Sequence, residues 1–145
     1  MTVQRILDSQ QGVEPAYIAP DAKIGEVLSS LAFKDVGALV VSSDGNTVEG
    51  IISERDIVRG LQTVGPDLLN KHVRELMTEK VNTCVATDRA AGIMALMVSK
   101  HLRHVPVVED GKFVSMVSIR DLLQLRLTEV QSEAESMRSY ISGST

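Results

Sequence analysis

The chain has 145 residues, 43% of them apolar, and a formal charge of −4, an acidic balance that argues against non-specific binding to nucleic acid and a length that supports one domain or two very small ones sharing a core. It contains no run of eighteen apolar residues, and its start, Met1 to Gln10, is polar with Arg5 and Asp8, so neither a membrane span nor a signal peptide is read and a cytoplasmic location is expected. A single cysteine, Cys84, excludes an intrachain disulfide, and three scattered histidines without cysteine partners make a structural zinc site a poor reading.

Taken in chain order, Val3 to Leu7 forms a lead-in segment, and a short strand is expected near Ala16 to Ala19. A helix follows whose apolar stripe is Val27, Leu28 and Leu31. Gly37 to Val41 reads as a buried strand running into a hairpin turn at Asp44-Gly45, and the return strand ends at Ser53. There Ser53 stands two residues before an Arg-Asp pair, which fits a helix N-cap with Asp56 near the positive end of the helix dipole. Gln62 to Asp67 is turn-forming, and Leu68 to His72 is expected as a short helical linker.

The same order then recurs. Val73 to Met77 resembles Val3 to Leu7, and a second short strand is expected at Asn82 to Val85. At an offset of 66 residues, the helix from Thr87 places Ile93, Met94 and Met97 on Val27, Leu28 and Leu31. Arg103 to Val107 falls on Gly37 to Val41, and Asp110-Gly111 falls on Asp44-Gly45. After the turn the offset is 65, and Ser118, Arg120 and Asp121 fall on Ser53, Arg55 and Asp56. Capping explains each Ser and Asp, but it does not require the Arg that accompanies both. The fold class expected is α/β in the α+β sense: two pseudo-symmetric β-α-β-β-α repeats, residues 1–66 and 67–125, sharing a core.

From Leu123 through the tail, residues 126–145, the pattern differs. Leu123, Leu127, Val130, Ala134, Met137 and Ile141 alternate at spacings of four and three, with Glu129, Glu133, Glu135 and Arg138 elsewhere. That is one apolar stripe on a helix of about 20 residues, roughly 30 Å long. The stripe either packs back on its own domain or joins two chains, and a homodimer held partly by this tail is expected.

Arg103-His104-Val105-Pro106-Val107-Val108, then Asp110-Gly111 and Ser118-Ile119-Arg120-Asp121, together with Gly37 to Val41 and Ser53-Glu54-Arg55-Asp56, resemble the paired motifs of a tandem CBS-domain protein, the module named after cystathionine β-synthase. The resemblance covers about residues 3 to 125. It implies two repeats packed through their sheets about a pseudo-two-fold axis, with a ligand cleft on either side. A first cleft would use Ser53, Arg55 and Asp56 with Lys80, Asn82, Leu102, Arg103 and His104, and Arg74 close by. A second would use Ser118, Arg120 and Asp121 with Ala16, Val36, Gly37 and Ala38. The chemistry of these residue types agrees: an Asp accepts from both ribose hydroxyls, and Ser and Arg donate to phosphate. Gly37 and Ala38 replace Arg103 and His104 in the second cleft, so phosphate-rich ligands are expected at the Asp56 cleft first.

The resemblance implies a regulatory module that binds an adenosine compound, AMP, ADP, ATP, NAD or S-adenosylmethionine, with no catalytic cofactor. An enzyme finds little support, since no glycine-rich phosphate loop of the nucleotide-hydrolase type occurs. A protein-protein or nucleic-acid interaction module without a nucleotide is the alternative, although two Tyr, two Phe and no Trp are few for base stacking.

Overall fold

The computed structural model describes residues 1–143; residues 144 and 145, the end of the expected tail, lie outside the described residues. Helix α1 (Gln4–Ser9) leads into strand β1 (Tyr17–Ile18), helix α2 (Ile24–Lys34), strands β2 (Ala38–Val41) and β3 (Gly50–Ser53), and helix α3 (Glu54–Val64). A 3-10 turn at Pro66–Asn70 and the one-turn helix α4 (Val73–Leu76) connect to α5 (Ala90–Lys100), β4 (His104–Glu109), β5 (Lys112–Ser118) and α6 (Ile119–Ile141). In the first sheet β1 pairs parallel with β2, and β2 antiparallel with β3. In the second, β4 and β5 pair antiparallel.

Local chemistry explains the punctuation. Helices α2 and α5 end at equivalent left-handed residues, Asp35 (φ 52°) and His101 (φ 56°), which turn the chain directly into β2 and β4. The second hairpin closes through Asp110 and Gly111, both with positive φ (50° and 76°), the geometry a two-residue turn demands. The first hairpin differs from the tight Asp44-Gly45 turn expected. Residues 42–49 form a wider loop folded round the Asp44 carboxylate, which accepts from the backbone N–H groups of Thr47 and Asn46 (both 2.8 Å) and from the hydroxyls of Thr47 and Ser42 (both 3.0 Å). Those donors hold the Asp44 carboxyl well below the usual carboxylate range.

The apolar residues form two cores rather than the single shared one expected, because each sheet packs on the helices of its own repeat. One gathers Ile24, Val27, Leu31, Leu39, Val41, Ile52, Ile57, Leu68 and Val73; the other gathers Val3, Ile6, Cys84, Ala90, Ile93, Met97, Val105, Val107, Val117 and Leu122. Each lead-in helix therefore closes the core of the other repeat: α1 packs on the second and α4 on the first. Val3 N donates to Asp88 O and Gln4 N to Ala86 O (both 2.9 Å), just as Val73 N donates to Ala22 O (2.8 Å) and Arg74 N to Pro20 O (3.0 Å). Helices this short do not stand alone. Burying Val3, Ile6 and Val73, at about 1.5–3 kcal/mol each, offsets the cost of ordering them.

Three further local expectations change. Leu28 is exposed, because the face of α2 that meets β2 is Ile24, Val27 and Leu31, and Leu28 lies beyond its edge; its counterpart Met94 packs only against the margin of the second core. The strand expected at Asn82 to Val85 shrinks to one parallel bridge from Cys84 to Val107, with Cys84 N donating to Pro106 O and Val108 N to Cys84 O (both 2.9 Å). The linker helix becomes the 3-10 turn at Pro66–Asn70, since Gly65 (φ 82°) ends α3 and Pro66 suits a first helical position.

Candidate functional site

Strand β3 delivers Ser53 to the N-terminus of α3, where a capping box forms as its spacing predicts. The backbone N–H and the hydroxyl of Ser53 both donate to Oδ2 of Asp56 (2.9 and 3.0 Å), and Asp56 N donates to Ser53 Oγ at 3.4 Å. The cap occupies one carboxylate oxygen and leaves Oδ1 with no partner among the described residues. Arg55 reaches across to the other repeat, where Nη1 donates to the His101 carbonyl at 3.0 Å. That carbonyl is free because the left-handed His101 has just ended α5.

From His101 the chain runs through Leu102 and Arg103 into β4, and His104 comes to lie against Gly37. A Cβ built on Gly37 would sit 3.0 Å from His104 Cε1 and 3.2 Å from Nε2, so the missing side chain is what gives the imidazole its place. Burial lowers the His104 pKa most; the Glu54 and Asp121 carboxylates oppose that shift and Arg103 adds to it. His104 thus stands between an acid at the start of each repeat's second helix. The backbone repeats the relation, with Glu54 N donating to Gly37 O (3.0 Å) and Ile119 N to Arg103 O (2.8 Å).

These groups bound a cavity of about 680 Å³, lined among others by Gly37, Ser53, Arg55, Asp56, Lys80, Asn82, Leu102, Arg103 and His104. Its size is that of a small-molecule site. Five cationic side chains line it, Arg55, Arg59, Lys80, Lys100 and Arg103, against the two carboxylates Glu54 and Asp56. Arg59 and Lys100 escape the motif comparison, although Arg59 sits one helical turn beyond Arg55 on α3, a legible signal. The arrangement suits an anion at the cationic rim and a hydroxylated sugar at Asp56.

Arg74 is not part of this wall. Its guanidinium pairs with the carboxylate of Asp21, because α4 docks on the first core beside the segment 20–23. Gly37, assigned from the sequence to the other cleft, lines this one beside His104. At the equivalent position Ser118 and Asp121 form their own capping box, with Ser118 N donating to Asp121 Oδ2 (2.8 Å) and Asp121 N to Ser118 Oγ (3.1 Å). Ser118, Arg120, Asp121, Ala16, Val36 and Ala38 line neither this cavity nor a second one of about 540 Å³ bounded by α1, residues 85–87 and the β4–β5 hairpin. Ala38 is buried, and Ala16 and Val36 pack against the first core. Cys84 is likewise a core side chain; burial, reinforced by Asp88, pushes its thiol up to about 11.

The CBS domain family model matches the chain twice, at residues 12–63 and 73–128. A CBS domain-containing mitochondrial protein of Arabidopsis thaliana is 32% identical over 131 residues, a match covering 88% of this chain and 64% of that protein, so the chain spans just under two thirds of that relative. Among solved structures, a CBS-domain containing protein from Agrobacterium tumefaciens superposes with a TM-score of 0.82 and 34% identity, covering 87% of this chain and 99% of that one. A CBS domain protein from Pyrobaculum aerophilum, solved complexed with AMP, gives a TM-score of 0.73 and 27% identity, covering 83% of this chain and 89% of that one. Among the described residues no helix is long and apolar enough to cross a membrane.

Proposed function

Because this chain belongs to the CBS-domain family, we propose that it is a regulatory module that binds an adenosine-containing ligand between its two repeats and passes that occupancy to a partner protein without turning the ligand over. The observation that carries this reading is the cavity in which Asp56 of one repeat meets Lys80, Arg103 and His104 of the other. Asp56 Oδ1 accepts from the ribose hydroxyls while Oδ2 stays in the cap, held by the Ser53 hydroxyl; Arg103 and His104 donate to phosphate; Lys80 and Arg59 supply further positive charge. Ile51, Val58, Val81 and Leu102 offer the apolar surface against which an adenine can stack. The AMP complex of the Pyrobaculum relative supports AMP as the first ligand to test, with ADP, ATP and NAD as the alternatives of the same chemistry.

The Asp56 cleft is the tighter site in this reading. The Asp121 side lacks cations from the opposite repeat, since Gly37 and Ala38 stand at the sequence positions that match Arg103 and His104, and one charge-assisted hydrogen bond, about 1.5–3 kcal/mol, separates two sites by roughly tenfold or more. The working assembly is a homodimer. Calorimetric titration of AMP into wild type, Asp56→Ala and Asp121→Ala tests the assignment: Asp56→Ala abolishes the tighter phase and Asp121→Ala spares it. The reverse pattern overturns the ordering of the clefts, and absence of any adenosine compound, both from titration and among the small molecules released on denaturing the purified protein, overturns the function.

A further inference from the structure

Helix α6 carries two faces. Leu122 is buried in the second core, Leu125 packs against that core, and Glu129 lies 4.0 Å from the N-terminal amine, so these residues seat the helix on its own module. The apolar stripe is turned away by roughly 120°, at about 100° per residue. It is open along its whole length: Leu123 is 50% exposed, Leu127 56%, Val130 45%, Met137 62% and Ile141 78%. The family model ends at residue 128, while the helix continues to Ile141 with every residue from Val130 onward exposed. A projecting segment of about 12 residues is marginal as an isolated helix, the more so with Val130, Ser132, Ser136 and Ser139 in it. Something must cover the stripe.

We propose that it is covered by the same stripe of a second copy, with the two tails parallel and in register as a short two-stranded coiled coil. The four-three spacing from Leu123 to Ile141 is the repeat that such a seam requires. Orientation follows from charge. Glu133 immediately precedes the seam residue Ala134, and Arg138 immediately follows the seam residue Met137, so these two flank opposite edges of the seam. In a parallel pair, Glu133 faces Arg138 of the partner subunit, and two-fold symmetry makes that contact twice. An antiparallel pair overlapping along the full stripe instead sets Glu133 against Glu133 of the partner subunit. The face that seats α6 on its own module stays free to do so, so dimerisation needs no rearrangement of the fold. Both modules then lie at the same end of the coil. With the small Ala134 and the β-branched Val130 in the seam, the association is reversible. This inference concerns assembly and stands apart from the ligand reading.

Sedimentation equilibrium on the full chain, together with oxidative cross-linking, tests it. Wild type is expected to dimerise. Glu133→Arg and Arg138→Glu each weaken the dimer by about fivefold or more, and the double reversal restores it. Met137→Cys, placed on the seam, forms an intermolecular disulfide with its own counterpart under mild oxidation, while the buried Cys84 serves as an unreactive control. A monomeric wild type, single reversals without effect, or a double reversal weaker than either single one overturns the proposal. So does a disulfide that forms only when Leu127→Cys and Met137→Cys chains are mixed, the signature of antiparallel tails. Circular dichroism of each variant distinguishes a lost seam from a chain that fails to fold.

Discussion

Replacing Gly37 with alanine separates the space in the cleft from its charge. The added Cβ lies 3.0 Å from His104 Cε1, 3.2 Å from Nε2 and 3.6 Å from Glu54 Oε2, whereas carbon atoms rest at about 3.5–4.0 Å, so the imidazole has to give by about half an ångström. Gly37 is not among the glycines with positive φ, so alanine fits its backbone and stiffens the unfolded chain, stabilising by about 0.4–1 kcal/mol. Crowding against a half-buried ring costs about 1–3 kcal/mol in the other direction. The net loss is therefore no more than about 2.6 kcal/mol, a fall of several degrees in Tm. Affinity suffers more in proportion. A displaced His104 forfeits one charge-assisted hydrogen bond, about 1.5–3 kcal/mol, which weakens AMP binding by roughly tenfold to a hundredfold. His104→Ala should lose the same amount, and adding Gly37→Ala to it should then cost nothing more. Calorimetric AMP titration and thermal unfolding of the four proteins read both quantities. Wild-type affinity in Gly37→Ala, or an equal penalty with and without His104, refutes the reasoning.

Ser53→Ala and Ser118→Ala each remove a cap hydroxyl, and each is expected to lower stability by about 1 kcal/mol and Tm by roughly 2–4 °C, measured by calorimetry. Because burial depresses the His104 pKa, the folded state holds its proton less tightly than the unfolded state. Its contribution to stability is thus complete above the unfolded value of about 6.5 and lost as pH falls through the lower folded value. Denaturant titrations from pH 7.5 to about 5 should show that loss, and His104→Gln should flatten it; a wild-type profile unchanged by the substitution contradicts the assignment. Cys84, with its thiol pushed up to about 11 and its side chain in the second core, should react with a maleimide at pH 7.5 only as fast as the protein unfolds. Rapid labelling of the native protein would place the thiol outside the core.

Much of this molecule is written locally. The Ser-x-x-Asp boxes at Ser53 and Ser118 cap α3 and α6 because the four residues concerned are neighbours within one turn, whatever lies around them. Asp110-Gly111 makes its tight turn for the same reason, and the duplication of both patterns announces the paired repeats and the family. The expected strand at Asn82 to Val85 was harder to read, since a single bridged residue, Cys84, carries no alternation of its own.

Contacts between distant segments are decided by docking. Nothing near α1 or α4 in the chain says that each lead-in helix closes the core of the other repeat; that follows from which apolar groove the folded modules leave open to Val3 and Val73. The same docking takes Arg74 to Asp21 rather than to the cleft, hands Arg55 the carbonyl of His101, and sets the empty side of Gly37 against His104. Spacing along a chain specifies only what lies within a turn or a strand, whereas a cleft between repeats exists once two surfaces have met. The repeats, their caps and the stripe on α6 are thus set by spacing along the chain, whereas which cationic residues share one cavity depends on how the two repeats dock.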